Sequence, residues 1–263
     1  MTLTKKNTKL KNNHKYLRDF KVPIILYLLV ITAVTFLYTL NRVDGFKRTF
    51  GIDLCLADIY ILHTDLEILF MIICVASAFL FTYLYTDKFR VQYIIRQKSR
   101  VSIWNKHILE TFIISLIMTV YVSLCLYIFG RILTTGKLID FNEYTSLFYK
   151  IVHRTTDKIS VYAVISLCIA TIFFAIFVTN LIILFARWCN RQVAGWILVV
   201  IIGCFETVKM DLEIFYNHMR ILHEFWVDLN KIEYKTIYPV VLALFLYAAG
   251  CLLFKRKEYA NVR

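Results

Sequence analysis

Long apolar runs separated by short polar and basic stretches set the pattern of the whole chain. Five runs are clear: Val22 to Leu40, Leu66 to Tyr85, Ile108 to Gly130, Ile159 to Ala186 and Ile237 to Phe254. The hydrocarbon core of a bilayer is about 30 Å thick and offers no hydrogen bonds to a bare backbone, so a crossing segment must be a helix of about 20 apolar residues. All five are apolar enough and close enough to that length. A sixth run, Val193 to Val208, is shorter and carries Glu206 near its end. It fits either a full crossing or a partial one completed by a re-entrant turn. The predicted fold class is all-α, a single polytopic transmembrane domain over 1–263 with six membrane helices.

Between the runs the pattern changes. Within Asp211 to Glu233 the residues Leu212, Phe215, Tyr216, Met219, Leu222, Phe225, Trp226 and Leu229 recur at three- and four-residue steps. That spacing predicts an amphipathic helix in the 209–235 segment, lying at the membrane surface. Leu54 to Leu62 is a weaker candidate of the same kind. Arg131 to Lys158 is mixed and polar and predicts no element. No internal repeat or low-complexity segment is visible.

Composition narrows the class. Of the 263 residues, 59% are hydrophobic and 19% charged, and only two prolines and seven glycines are left to make turns. A soluble domain is rarely so apolar. The net charge of +13 could suit nucleic acid, but the Lys and Arg frame the apolar runs, so the expected basic-surface partner is membrane lipid, with no nucleic acid. Six crossings place both termini on one side. The segment 1–21, the loop 86–107, the Arg187 to Gln192 link and the tail together hold 19 Lys and Arg, whereas the other three loops hold 12 and most of the acids. The more basic side faces the cytoplasm, which predicts a multi-pass protein of the cell membrane with both ends inside. The basic start resembles a signal peptide, but the first apolar run is too long and no small-residue cleavage site follows. An uncleaved span is expected.

The sequence offers little catalysis. The seven cysteines are scattered, odd in number and form no C-x-x-C pair, so they read as small hydrophobes and no metal site is expected. A Walker A loop needs four residues between its glycines and then Lys-Ser or Lys-Thr; Gly130 and Gly136 have five between them, and Lys137 is followed by Leu138. His223-Glu224 lacks a second histidine, because Val227 stands in its place. No G-x-S-x-G elbow is present, and Glu67, Glu110 and Glu206 lie near span ends. The chain is not expected to be an enzyme or to bind a cofactor of its own.

Polar residues inside the spans are the remaining candidates. Thr111, Ser115, Thr119 and Ser123 fall at four-residue steps and line one face of the third span. They suit close helix packing with hydroxyls bonded back to the helix, and they also suit the border of a substrate path. Asn180 and Glu206 carry the same two readings.

The chain spends about twenty residues on the cytoplasmic link between the second and third spans, DKFRVQYIIRQKSRVSIWNKHILE from Asp87 to Glu110 including its flanks. Apolar residues from Phe89 to Ile95 cluster on a helix-like arc, and Gln97-Lys98-Ser99 reads as a break. Basic residues at headgroups account for an anchor. The layout as a whole resembles the permease subunits of ABC-2 type transporters, in particular the short six-span permeases of Gram-positive bacteria that serve peptide, bacteriocin or drug export. The shared features are the six spans with cytoplasmic ends, the basic loop 86–107 with Arg96, Ser99, Arg100, Trp104 and Lys106, the short fifth span before an amphipathic external segment, and a last span ending in Leu252-Leu253-Phe254-Lys255-Arg256-Lys257. Tyr16 to Phe20 stands where larger members carry a connecting helix. The resemblance implies that a separate ABC ATPase, holding ATP and Mg, docks on Phe89, Arg90, Tyr93, Ile94, Arg96, Lys98, Ser99, Arg100 and Trp104. It also implies a second permease copy or a sister permease, the two chains forming the path. Two rival classes stay open: a membrane-embedded enzyme or anchoring protein, for which acid or histidine clusters in the spans are missing, and an ion-coupled carrier, for which deep acids and repeated halves are missing.

Overall fold

The computed structural model describes residues 3–85, 99–134, 136–189, 191–208, 213–227 and 229–260. Every regular element among the described residues is helical. They are α1 (Leu3–Phe50), α2 (Leu56–Leu62), α3 (Leu66–Tyr85), α4 (Arg100–Leu133), α5 (Leu147–Val152), α6 (Val161–Trp188), α7 (Gln192–Val208), α8 (Tyr216–Met219) and α9 (Leu229–Ala260), with a 3₁₀ turn over His223–Val227. Five of them, α1, α3, α4, α6 and α9, contain stretches long and apolar enough to cross a membrane. The sixth apolar helix, α7, has 17 residues.

The helices outrun the apolar runs that predict them. α1 continues through Pro23 to Phe50, so Tyr16 to Phe20 extend the first span instead of forming a separate element. α4 starts at Arg100, where the Ser99 hydroxyl accepts the Ser102 N–H at 3.1 Å. α3 contains a π-helical turn over Leu69–Cys74.

α6 is the axis of the bundle: α2, α3, α4, α7 and α9 all pack on it. α1 lies outside, against α3 and α4. The burial pattern is that of a bundle in lipid. On α4 the polar Thr111, Ser115 and Thr119 are buried, while Phe112, Ile113, Leu116, Ile117 and Val120 are exposed. In water that arrangement would waste the hydrophobic driving force; in hydrocarbon, helices associate through close packing and polar contacts instead. One end of the bundle gathers Tyr85, Ser99, Trp104 and Trp188 at the roots of the 86–98 link, and the other is covered by a cap of α2, residues 136–160 and residues 213–227.

The cap corrects two expectations. Leu56–Leu62 is buried throughout, against α4 and α6, and does not lie on a membrane surface. The described part of 209–235 is not one amphipathic helix but α8, an extended stretch over 220–222, the 3₁₀ turn and the start of α9. Phe215, Tyr216, Met219, Ile221 and Trp226 are buried in the cap, which explains the apolar spacing without a continuous helix. The breaks come from polar anchors on distant segments. Arg220 Nε reaches Asp65 Oδ1 at 2.8 Å, the Ile221 N–H reaches Thr64 Oγ1 at 3.0 Å, and His223 Nε2 lies 2.8 Å from Asp58 Oδ1.

Candidate functional site

The hydroxyl stripe lies in the seam between α4 and α6. Thr111 Oγ1 donates to the His107 carbonyl at 2.7 Å and Thr119 Oγ1 to the Ser115 carbonyl at 2.8 Å. These are the bonds back along the helix that let a hydroxyl sit in an apolar seam without an unmet donor. Ser115 Oγ instead accepts from Asn180 Nδ2 of α6 at 3.0 Å, bringing two of the predicted residues together across the seam. Ser123, at the cap end, offers its carbonyl to Tyr60 OH at 2.8 Å. Thr111, Ser115, Thr119 and Asn180 have essentially no exposed surface.

Glu206 is elsewhere, at the cap end of α7. Its carboxylate accepts four successive backbone N–H groups: Ile214 and Phe215 on Oε1, Tyr216 and Asn217 on Oε2. One buried charge thus satisfies the donors that open α8, and in turn is held by them. Gly203, one turn earlier, lets α7 approach α3: a Cβ there would fall 1.9 Å from the Phe70 ring. Phe70 in turn packs on Tyr216, with ring centroids 4.5 Å apart.

At the opposite end, Phe89, Arg90, Tyr93, Ile94, Arg96 and Lys98 lie outside the described residues. The residues on either side of 86–98 are described. Tyr85, the last residue of α3, donates its hydroxyl to Glu110 Oε2 at 2.9 Å and also lies 3.1 Å from the His107 carbonyl. Ser99 caps α4 and Arg100 is its first residue. Trp104 is wholly enclosed. Its indole N–H donates to the Tyr247 carbonyl of α9 at 3.2 Å, its ring stands edge-on to Phe185 and Trp188 of α6, and a Cβ on Gly250 would lie 2.2 Å from it. Trp188 Nε1 in turn donates to His107 Nδ1 at 3.2 Å. An aromatic knot therefore fastens α3, α4, α6 and α9 where the loop leaves the bundle. Trp104, predicted to meet the ATPase, is enclosed in this knot and has no exposed surface.

The cap carries ionisable groups that spacing in the sequence does not connect. Asp65 sits between Arg220 and Arg42, the latter at 3.8 Å. His63 is enclosed, and burial takes its pKa down to about 4. Burial, followed by the nearby Asp58, pushes the Asp140 carboxyl up to about 6. Their partners lie tens to more than a hundred positions away in the chain, so only the fold brings them together.

Comparison with protein-family models, with curated proteins and with solved structures finds no match. The helices define a class nonetheless: a multi-pass, all-helical protein with the build of a membrane protein.

Proposed function

We propose that this chain is the transmembrane subunit of an ATP-driven exporter of the ABC-2 type. In this reading it sits in the cell membrane with both termini cytoplasmic, crosses six times with α7 as the short fifth span, and pairs with a second copy or a sister permease. A separate ATPase, carrying ATP and Mg, docks on the 86–107 loop and supplies the energy. The cargo is amphipathic, of peptide, bacteriocin or drug type, because hydroxyls and aromatics outnumber charges along the spans.

The observation that carries the reading is the aromatic knot at the root of that loop. A docking loop is useful only if its displacement moves the spans, and Trp104, Tyr85 and Trp188 tie its two ends to α3, α4, α6 and α9 through buried rings and hydrogen bonds. A loop serving only as an anchor at the headgroups needs basic residues and no such linkage. In support stands the order of a short apolar helix, α7, before the long last helix, α9.

The test is association and transport. The chain expressed with a candidate ATPase should copurify with it, and alanine substitution of Phe89, Arg90, Tyr93 and Ile94 should abolish copurification and lower export at least about tenfold, as loss of a few central contacts does at an interface. If association and export both survive those substitutions, the docking role is wrong.

A further inference from the structure

In the cap, three side chains from two distant segments converge on one point. Cys55 Sγ and carboxylate oxygens of Asp58 and Asp140 lie within 4.8 Å of one another, and all three residues are buried. The backbone builds this meeting. The N–H groups of Leu56 and Ala57 donate to the Lys137 and Leu138 carbonyls, each at 3.1 Å, which lays residues 137–141 beside the start of α2. Asp58 is held from two sides: Oδ2 accepts the Cys55 N–H at 3.1 Å, and Oδ1 lies 2.8 Å from His223 Nε2. Asp140 is 5% exposed, and its Oδ1 has no hydrogen-bond partner among the described residues. Lys137, the nearest basic residue in sequence, is paired with Glu143 instead.

Two enclosed carboxylates facing one point repel each other, and burial deprives them of the water that would screen them. A cation between them removes both costs. We propose that Cys55, Asp58 and Asp140 bind a divalent cation of the zinc class, with His223 holding Asp58 in position from behind. On binding, the Cys55 thiol releases its proton to solvent as the sulfur–metal bond forms. The thiolate selects zinc over magnesium or calcium, which take oxygen ligands. Three protein ligands leave the fourth tetrahedral position to water. The cation fastens residues 137–141 to α2 and, through His223, to the 3₁₀ turn, so the cap holds together as one unit. The site is independent of the exporter reading, since it uses neither the loop nor the spans.

The test is metal titration of the full chain, purified in detergent and stripped with EDTA. Zinc should return at about one equivalent per chain and raise the unfolding temperature. Cobalt should give a thiolate-to-metal charge-transfer band in the near ultraviolet. Cys55→Ala should abolish the band, Asp140→Asn should weaken zinc binding by at least about tenfold, and His223→Gln by about 10- to 100-fold, the range for loss of a supporting partner. Unfolding in EDTA separates ligand loss from fold loss: Asp140→Asn should unfold no earlier than the parent, because it removes a buried charge whose Oδ1 has no partner among the described residues. Should it fail to fold, Cys55→Ala decides by the same titration. A parent chain that takes up no zinc, or a cobalt band that survives Cys55→Ala, overturns the proposal.

Discussion

His63 has a ring enclosed on all sides, with Nδ1 2.8 Å from the Ile59 carbonyl and Tyr38 edge-on at 4.9 Å. Nδ1 carries the proton that this carbonyl accepts, and Nε2 has no partner among the described residues, so the enclosed form is neutral. Burial, aided by the charge of Arg42, takes the pKa to about 4. The unfolded chain takes up a proton near pH 6.5 while the folded one does not, so the stability from His63 is full above that value and is lost as pH falls toward 4. The total at stake is about 3 kcal/mol. Between pH 6.5 and 4 the melting temperature in detergent of His63→Gln, which keeps a donor for Ile59, should therefore fall less or rise more than that of the parent. Parallel profiles for the two proteins would remove His63 from the account. Nothing in the sequence marks this residue, because its enclosure depends on α1 and on the turn before α3.

At the scale of elements, the spans were legible and the cap was not, for one physical reason. A membrane helix must satisfy its own backbone and bury apolar length, and both requirements are local, so Leu66 to Tyr85 reads directly as α3. The 213–227 segment is decided instead by Glu206 at the end of the preceding helix and by Asp58, Thr64 and Asp65, which lie more than 150 positions away from their partners in it, and it contains no Gly or Pro to announce its breaks. Its apolar spacing was real and its helix was not. The seam residues fell between these cases: four-residue spacing placed Thr111, Ser115 and Thr119 on one face, but only the fold supplies Asn180 as their neighbour. The anchoring role of Glu206 is open to measurement. Glu206→Gln keeps one oxygen and replaces the other with an amide that cannot accept, leaving two of the four N–H groups from Ile214 to Asn217 unmet at about 1–3 kcal/mol each. Amide exchange over 214–219 should accelerate while exchange in α4 and α6 stays unchanged. Unaltered exchange at Ile214 to Asn217 would show that the carboxylate does not hold this turn.

Across the whole molecule, α6 is enclosed by its neighbours while α1 and α9 bury the smallest share of their apolar windows. The all-helical class could be read from the sequence because lipid permits few alternatives. The order of packing around α6 could not, since every apolar run looks alike until its neighbours are known. That order places α7 against α6, on which most of the bundle packs, and α7 is short. Its 17 residues rise about 25 Å, against a hydrocarbon layer of about 30 Å. Glu206 and the backbone it holds lie at one end of these 17 residues. In the six-span reading proposed above, the bilayer thins beside α7. The protein should thus sense acyl-chain length: melting temperature in vesicles of short-chain lipid should exceed that in long-chain lipid, and the gradient should weaken when apolar residues are inserted into α7. Through that one short helix, the thickness of the surrounding membrane becomes part of what sets the stability of the bundle.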